Sequence, residues 1–274
     1  MIRYLNSSVP HQIENGPADV LEIRLLGGFE MKRGGAILSL PTTPKSRSLL
    51  VYLILNHGRL AHRETVCVTL WPDESKCVAR KALRAALWRI RSALENRRRA
   101  DDYIYGDAYQ VGFRRAAPIW VDVWEFEEAV VASDFKMDEA LDATDGERMS
   151  RAALLYHGNF GAGLYDEWIM LEQSRLEHAH LALLDRIARF HASHQHWPQA
   201  IGWAERALAV DPLREHLHRM IMSCHMSMGD RPSALRQFKI CEAALKSELG
   251  IEPMAETQAL LDSIHNPRTG QPLM

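Results

Sequence analysis

Apolar and polar positions follow two different rhythms along the chain, and the changes between them mark out its elements. From Val20, the run VLEIRLLGGFEMKRGGAILSL alternates apolar and polar residues around Gly-Gly pairs at 27–28 and 34–35. Alternation broken by glycine pairs predicts a short antiparallel sheet of about three strands. The rhythm then lengthens. Thr42-Thr43-Pro44-Lys45 supplies a threonine N-cap with proline at the first helical position, opening a helix through Leu49, Leu50, Leu53 and Ile54. Gly58, just after His57, closes it. A second helix is predicted from about His62 to Leu70, ended by Trp71-Pro72 because proline constrains the residue before it.

The most strongly patterned stretch follows, KCVARKALRAALWRIRSALENRRR at 76–99. At about 100° per residue, Ala79, Leu83, Leu87, Ile90 and Leu94 fall on one side, the spacing of a core-facing helical stripe. Arg80, Arg84 and Arg91 lie along an adjacent face, with Lys81 and Trp88 at its far edge. Charge changes the picture here. The stretch holds nine Lys or Arg against one acid, Glu95, a local +8 in a chain whose formal net charge is -2. One side is built to be buried and the other to meet something negative, although a basic face can also be merely solvated.

What comes next separates the two readings. YIYGDAYQVGF contains two strand-like runs around Gly106-Asp107, a hairpin turn signal. Three helices, the last one basic, followed by a hairpin, is the order of a winged helix-turn-helix, whose third helix enters the DNA major groove. Arg80, Lys81 and Arg84 near its start are then the candidates for base or groove contacts, and Arg91 and Arg97 to Arg99 for phosphates. Trp88 shares that face. On the hairpin side, Tyr105, Tyr109, Arg114 and Arg115 are candidate phosphate contacts, which position without specifying sequence.

These residues also carry a family resemblance. The N-terminal sheet, then PKSRSLLVYLILNHGRLAHRETVCVTLWPD, the ARKALRAALWRIRSAL run and the hairpin resemble the OmpR-type winged helix. More narrowly, they are similar to its version in SARP-type transcriptional activators, the antibiotic regulatory proteins of actinomycetes and their relatives. VDVWEFEEAV at 121–130 is similar to the segment that joins that domain to the family's second half. ALLYHGNFGAGLYDEWIMLEQSRLEHAHLALLDRIARF resembles the start of a bacterial transcriptional activation domain, with Gly158, Trp168 and Arg175-Leu176 at its recurrent positions. The resemblance implies a dimer on promoter direct repeats that contacts RNA polymerase.

An internal repeat supports the second half independently. WPQAIGWAERAL from 197 aligns with RPSALRQFKICEAAL from 231, setting Ala200 on Ala234 and Ile201 on Leu235. A shift of about 34 residues is the tetratricopeptide period of paired, stacked helices. Asp211-Pro212 and Gly250-Ile251-Glu252-Pro253 end successive pairs, and a last helix at about 254–264 caps them. The expected architecture is mainly α: a loose arm at 1–19, a winged helix with small antiparallel β elements at 20–116, an all-α repeat domain at 117–265, and a tail at 266–274.

Composition excludes more than it adds. The 274 residues are 47% hydrophobic and 25% charged, values of a folded soluble protein. No run is apolar enough to span a membrane, and the N-terminus lacks a signal-peptide core, so a cytoplasmic location is expected. No phosphate-loop or dinucleotide glycine motif occurs, and no catalytic constellation or cofactor is expected. Cys67, Cys77, Cys224 and Cys241 show no metal or disulfide spacing. Cys77, near the basic face, sits where a thiol can be activated, although a half-buried thiol needs no function. His191, His194 and His196 cluster without adjacent carboxylates and are read as packing or surface histidines rather than a metal site. Trp168, Phe190, Trp197, Trp203 and Phe238 could line a groove for a ligand or peptide, or simply pack repeat on repeat. The rival to DNA binding is a non-enzymatic scaffold in which the repeats bind a partner and the winged helix docks protein.

Overall fold

Residues 20–94, 103–114 and 118–266 are described in a computed structural model, in which the alternating run after Val20 forms a sheet. Strands β1 (Leu21–Arg24), β2 (Glu30–Arg33) and β3 (Ala36–Ile37) pair antiparallel in sequence order, with Ile23 opposite Met31 and Arg33 opposite Ala36. Gly34 and Gly35 both hold positive φ, as the two-residue turn between β2 and β3 demands. The alternation decides the faces: Leu21, Ile23 and Met31 are buried while Arg24 is exposed.

Helix α1 (Pro44–Leu55) starts as its cap residues dictate, the Thr43 hydroxyl accepting the Ser46 N–H at 3.3 Å. It stops slightly earlier than Gly58. Asn56 caps it, donating its side-chain amide to the Tyr52 carbonyl at 2.9 Å, and Gly58, with φ +74°, then passes its own N–H to the Phe113 carbonyl. A short strand β4 (Ala61–His62) leads into α2 (Arg63–Leu70), and α3 (Lys76–Ala93) follows. Next among the described residues come β5 (Ile104–Gly106) and β6 (Gln110–Phe113). They complete a three-stranded antiparallel sheet in the order β4-β6-β5, with Ala61 opposite Val111 and Ile104 opposite Phe113.

The core of this half is the stripe of each helix set against that sheet. Leu49, Leu50 and Leu53 of α1, Val66 and Leu70 of α2, Leu83, Leu87 and Ile90 of α3, and Val111 and Phe113 of β6 are all buried. Two features were not visible in the pattern. Strand β7 (Ile119–Val121) lies parallel to β1, Ile23 opposite Val121, making the first sheet four-stranded. Directly after it, Asp122 opens α4 (Asp122–Asp134) as a buried carboxylate. Its oxygens accept the Leu25 N–H at 2.8 and 2.9 Å, the Leu26 N–H at 2.9 Å and the Val123 N–H at 2.7 Å. Burial pushes the Asp122 carboxyl above its ordinary range while these three N–H groups pull it down.

By their contacts, the described residues fall into two compact units: those up to Trp124 together with Gly161–Ile169, and Glu125–Phe160 together with those from Met170 onward. Within the first, the Gly161 N–H donates to the Leu25 carbonyl at 2.8 Å. The Asp166 carboxylate accepts from Lys45 Nζ at 2.5 Å and from the buried Ser48 hydroxyl. Trp168 meets Tyr52 edge to face at 5.6 Å.

The second unit is helical. A capping box between Asp142 and Asp145 opens α5 (Ala143–Ala153), and α6 (Glu167–Ser193), α7 (Trp197–Val210), α8 (Glu215–Ser227), α9 (Arg231–Glu248) and α10 (Ala255–His265) follow. Helices α7 and α9 start at Trp197 and Arg231, the two ends of the repeat shift, each with proline in its first turn. Ala200 and Ala234 are both fully buried, as small residues must be where helices approach closely. Met222, Ala234, Phe238 and Ile264 form a core cluster. Two buried polar groups are tied into the packing: Glu215 accepts the Met254 N–H and the Thr257 hydroxyl at 2.9 and 2.7 Å. His218 bridges the Pro212 carbonyl at 3.0 Å and the Gln237 amide at 2.7 Å. Mainly helical, with small sheets confined to the N-terminal part, the architecture is the one the sequence pattern implies.

Candidate nucleic-acid interface

The two sides of α3 separate as the helical wheel requires. Ala79, Leu83, Leu87, Ile90 and Leu94 are all buried, against α1 and α2, and Ala86 joins them. Arg80, Lys81, Arg84 and Trp88 are exposed, Trp88 to 62%. Arg91, nearer the end of the helix, is half-buried.

The exposed side does not face open solvent uniformly. His62, Arg63 and Glu64 at the start of α2, Lys76, Cys77, Arg80, Leu83 and Arg84 along α3, and Ala108 and Tyr109 at the hairpin tip line one open groove of about 710 Å³. Hydrogen bonds from Arg63 to the hairpin carbonyls hold its walls in register. The Arg63 N–H donates to the Tyr109 carbonyl at 2.8 Å, and Arg63 Nε reaches the Gln110 carbonyl at 3.4 Å. The hairpin tip is itself tied down by Asp107, whose Oδ1 accepts the Tyr109 and Gln110 N–H groups at 2.7 and 2.8 Å. Those two bonds hold the Asp107 carboxyl below its usual range. Tyr109 is left 77% exposed beside the groove.

Electrostatically the groove is cationic. Arg63, Lys76, Arg80 and Arg84 stand against a single acid, Glu64, among the described lining residues. The Arg80 guanidinium donates from Nη2 to Glu64 Oε1, and this bond and charge, followed by the charge of Lys76, hold the Glu64 carboxyl below its ordinary value. Among the described residues, no hydrogen bond or ion pair engages the Arg84 or Lys81 side chain. Ser75, which caps α3, makes no side-chain capping bond, so the first N–H groups of α3 have no side-chain acceptor.

The residues expected from sequence are thus only partly gathered. Arg80, Arg84 and Tyr109 share the groove; Lys81, Trp88 and Arg91 are on α3 but not among its lining residues. Arg114, just past β6, lays its guanidinium over the Tyr105 ring at 5.2 Å. Arg97, Arg98, Arg99 and Arg115 lie outside the described residues. Arg63, Lys76 and His62 were missed. Lys76 was within reach as the first cation of the basic stretch, but nothing on the wheel of α3 could bring Arg63 from the preceding helix to the same groove.

Comparison with known proteins gives this arrangement a setting. The family described as "Bacterial transcriptional activator domain" matches residues 121–265, over half of the chain. The chain belongs to the bacterial transcriptional activator domain family. A second family, "Transcriptional regulatory protein, C terminal", matches residues 38–114, the segment that holds α1 to β6. Winged helix first and activator domain second is the SARP-type order, and the chain is a SARP-type regulator by family and architecture. It is 26% identical over 263 residues to the regulatory protein AfsR of Streptomyces coelicolor and 27% identical over 259 residues to AfsR of Streptomyces griseus. These alignments cover 93% and 90% of this chain but 26% and 25% of the relatives, so the chain spans about a quarter of their length. Among solved structures, Mycobacterium tuberculosis EmbR, determined in complex with a low affinity phosphopeptide, shares the fold with a TM-score of 0.71. That likeness has 20% identity and covers 93% of this chain and 66% of EmbR.

The remaining candidates in this SARP-type chain resolve in different ways. Phe190 and Phe238 are buried, and Trp168 packs edge to face on Tyr52. Trp203 carries the Arg206 guanidinium at 4.5 Å. His191, His194 and His196 line a shallow hollow with Phe190 and Arg151, and among the described residues no group of three or more His, Cys, Asp or Glu is placed to hold a metal ion. Cys77 is exposed in the groove. No helix among the described residues is long and apolar enough to cross a membrane.

Proposed function

We propose that this SARP-type regulator binds promoter DNA sequence-specifically, with α3 in the major groove and the β5–β6 hairpin against the flanking backbone. The observation that carries this is the single open groove in which Arg63, Lys76, Arg80, Arg84 and Tyr109 converge around the exposed side of α3. Arg80 and Arg84 reach base edges, where a guanidinium matches the two acceptors of guanine. Lys76, Arg63, Tyr109 and the uncapped first turn of α3 hold phosphates, since free N–H groups at a helix N-terminus favour anions. Lys81, Trp88 and Arg91 extend the contact along α3, with Arg97, Arg98, Arg99 and Arg114 on the backbone beyond it. From the family we take activation by contact with RNA polymerase, and binding as a dimer to direct repeats.

The test is a binding titration at several salt concentrations, using a site selected from a random DNA pool and a scrambled duplex. Arg84→Ala should leave the fold intact and lower affinity for the selected site by about 1 to 3 kcal/mol, relaxing preference at one base position. Lys76→Ala should weaken both duplexes alike and reduce the salt slope by about one. If folded Arg80→Ala and Arg84→Ala proteins both keep wild-type affinity and selectivity, α3 is not the reading head, and a scaffold role for the helical unit takes its place.

A further inference from the structure

We propose that Glu64 is a positioning residue that fixes the Arg80 guanidinium in the groove before DNA arrives; this rests on the DNA-reading role given to Arg80 above. A carboxylate is out of place in a groove meant for a polyanion. Its position in the first turn of α2 suits the helix dipole, which accounts for an acid there but not for its bond to a residue of α3. Nor does fold stability account for it. Glu64 and Arg80 are 58% and 61% exposed, and solvent-exposed ion pairs contribute little to stability.

What the bond does is geometric. Arginine has five N–H donors in a rigid fork, and the contact with Glu64 uses Nη2, leaving donors on the other nitrogens for a base edge. A long side chain held in one rotamer in advance loses less freedom when it binds. Arg84 provides the internal contrast, since among the described residues no ion pair or hydrogen bond restrains it. An Arg80 released from Glu64 would be free to swing onto the nearest phosphate, a contact that every DNA sequence offers. Glu64 therefore trades some attraction to DNA for discrimination between sequences.

The experiment compares Glu64→Gln and Glu64→Ala in the full chain, each with and without Arg80→Ala, against the selected duplex and a scrambled one. Circular dichroism and thermal melts should be unchanged. Glu64→Ala should bind scrambled DNA more tightly and lose about two- to fivefold in the ratio of selected to scrambled affinity. Glu64→Gln removes the same charge but keeps an acceptor oxygen for Arg80, so it should retain much of that ratio. In the Arg80→Ala background neither substitution should change selectivity. Persistence of the Glu64 effect in that background would overturn the assignment, because Glu64 would then read a base itself. Undiminished selectivity in Glu64→Ala, with selectivity lost in Arg80→Ala, would overturn the role of Glu64 alone. Undiminished selectivity in Arg80→Ala would remove the parent reading of Arg80 along with it.

Discussion

Replacing Asp122 with Ala should destabilise the protein by about 3 to 5 kcal/mol, in the range expected when a buried charged partner is removed from groups that remain buried. The N–H groups of Leu25, Leu26 and Val123 would lose their shared acceptor, and all three residues are buried, so water cannot readily replace it. Relief of the desolvation that pushes the Asp122 carboxyl up offsets part of this. Asp122→Asn is the informative intermediate: it keeps one acceptor oxygen but turns an amide donor toward the remaining N–H groups. Urea denaturation should give the order wild type, Asn, Ala. A midpoint for Asp122→Ala within error of wild type would mean that the junction of β1, β7 and α4 relaxes around the loss.

Acid should weaken the second unit through His180, by about 3 kcal/mol in all. This side chain is buried, stacked on Tyr156 with ring centroids 4.2 Å apart and close to Phe126 at 6.2 Å. Burial pulls its pKa down to about 4. In the unfolded chain it titrates near the ordinary value of about 6.5, so between these two values the unfolded state holds the extra proton. Stability is then full above about pH 6.5 and declines by roughly 1.4 kcal/mol per pH unit until about pH 4. Burial also pulls His218 and His191 below the ordinary histidine value, so they act in the same direction. His180→Phe separates its share, because it fills similar space without titrating. Stability profiles of wild type and variant should diverge across this window, and parallel profiles would show that His180 is not the group involved.

Which parts of the molecule could be read in advance follows from how far apart their determinants lie. The buried stripe of α3, the Thr43 cap and the Gly34-Gly35 turn are each set by residues within a few positions of one another, and periodicity finds them. The repeat was legible because Ala200 and Ala234 recur at a fixed period. Strand β7 is three residues long and pairs with β1 from the far end of the winged-helix region, too short a run for alternation to register. Asp122 reads as one acid among many, since its partners at Leu25 and Leu26 are remote in sequence. The groove shows the same division. Arg80 and Arg84 were apparent from one helix alone, whereas Arg63 and the restraint on Arg80 by Glu64 depend on how α2 is set beside α3.

Residues 161–169 give the chain a property of a different kind. They hold Leu25, Lys45, Ser48 and Tyr52 of the first unit, yet the chain on either side of them belongs to the second. The unit that carries the cationic groove is therefore not a contiguous stretch of coding sequence. A recombination event that joined residues 20–124 to an unrelated partner would leave the buried Ser48 hydroxyl without Asp166, and the Leu25 carbonyl without Gly161. Any exchange of the first unit would have to carry residues 161–169 with it or supply a substitute for this segment.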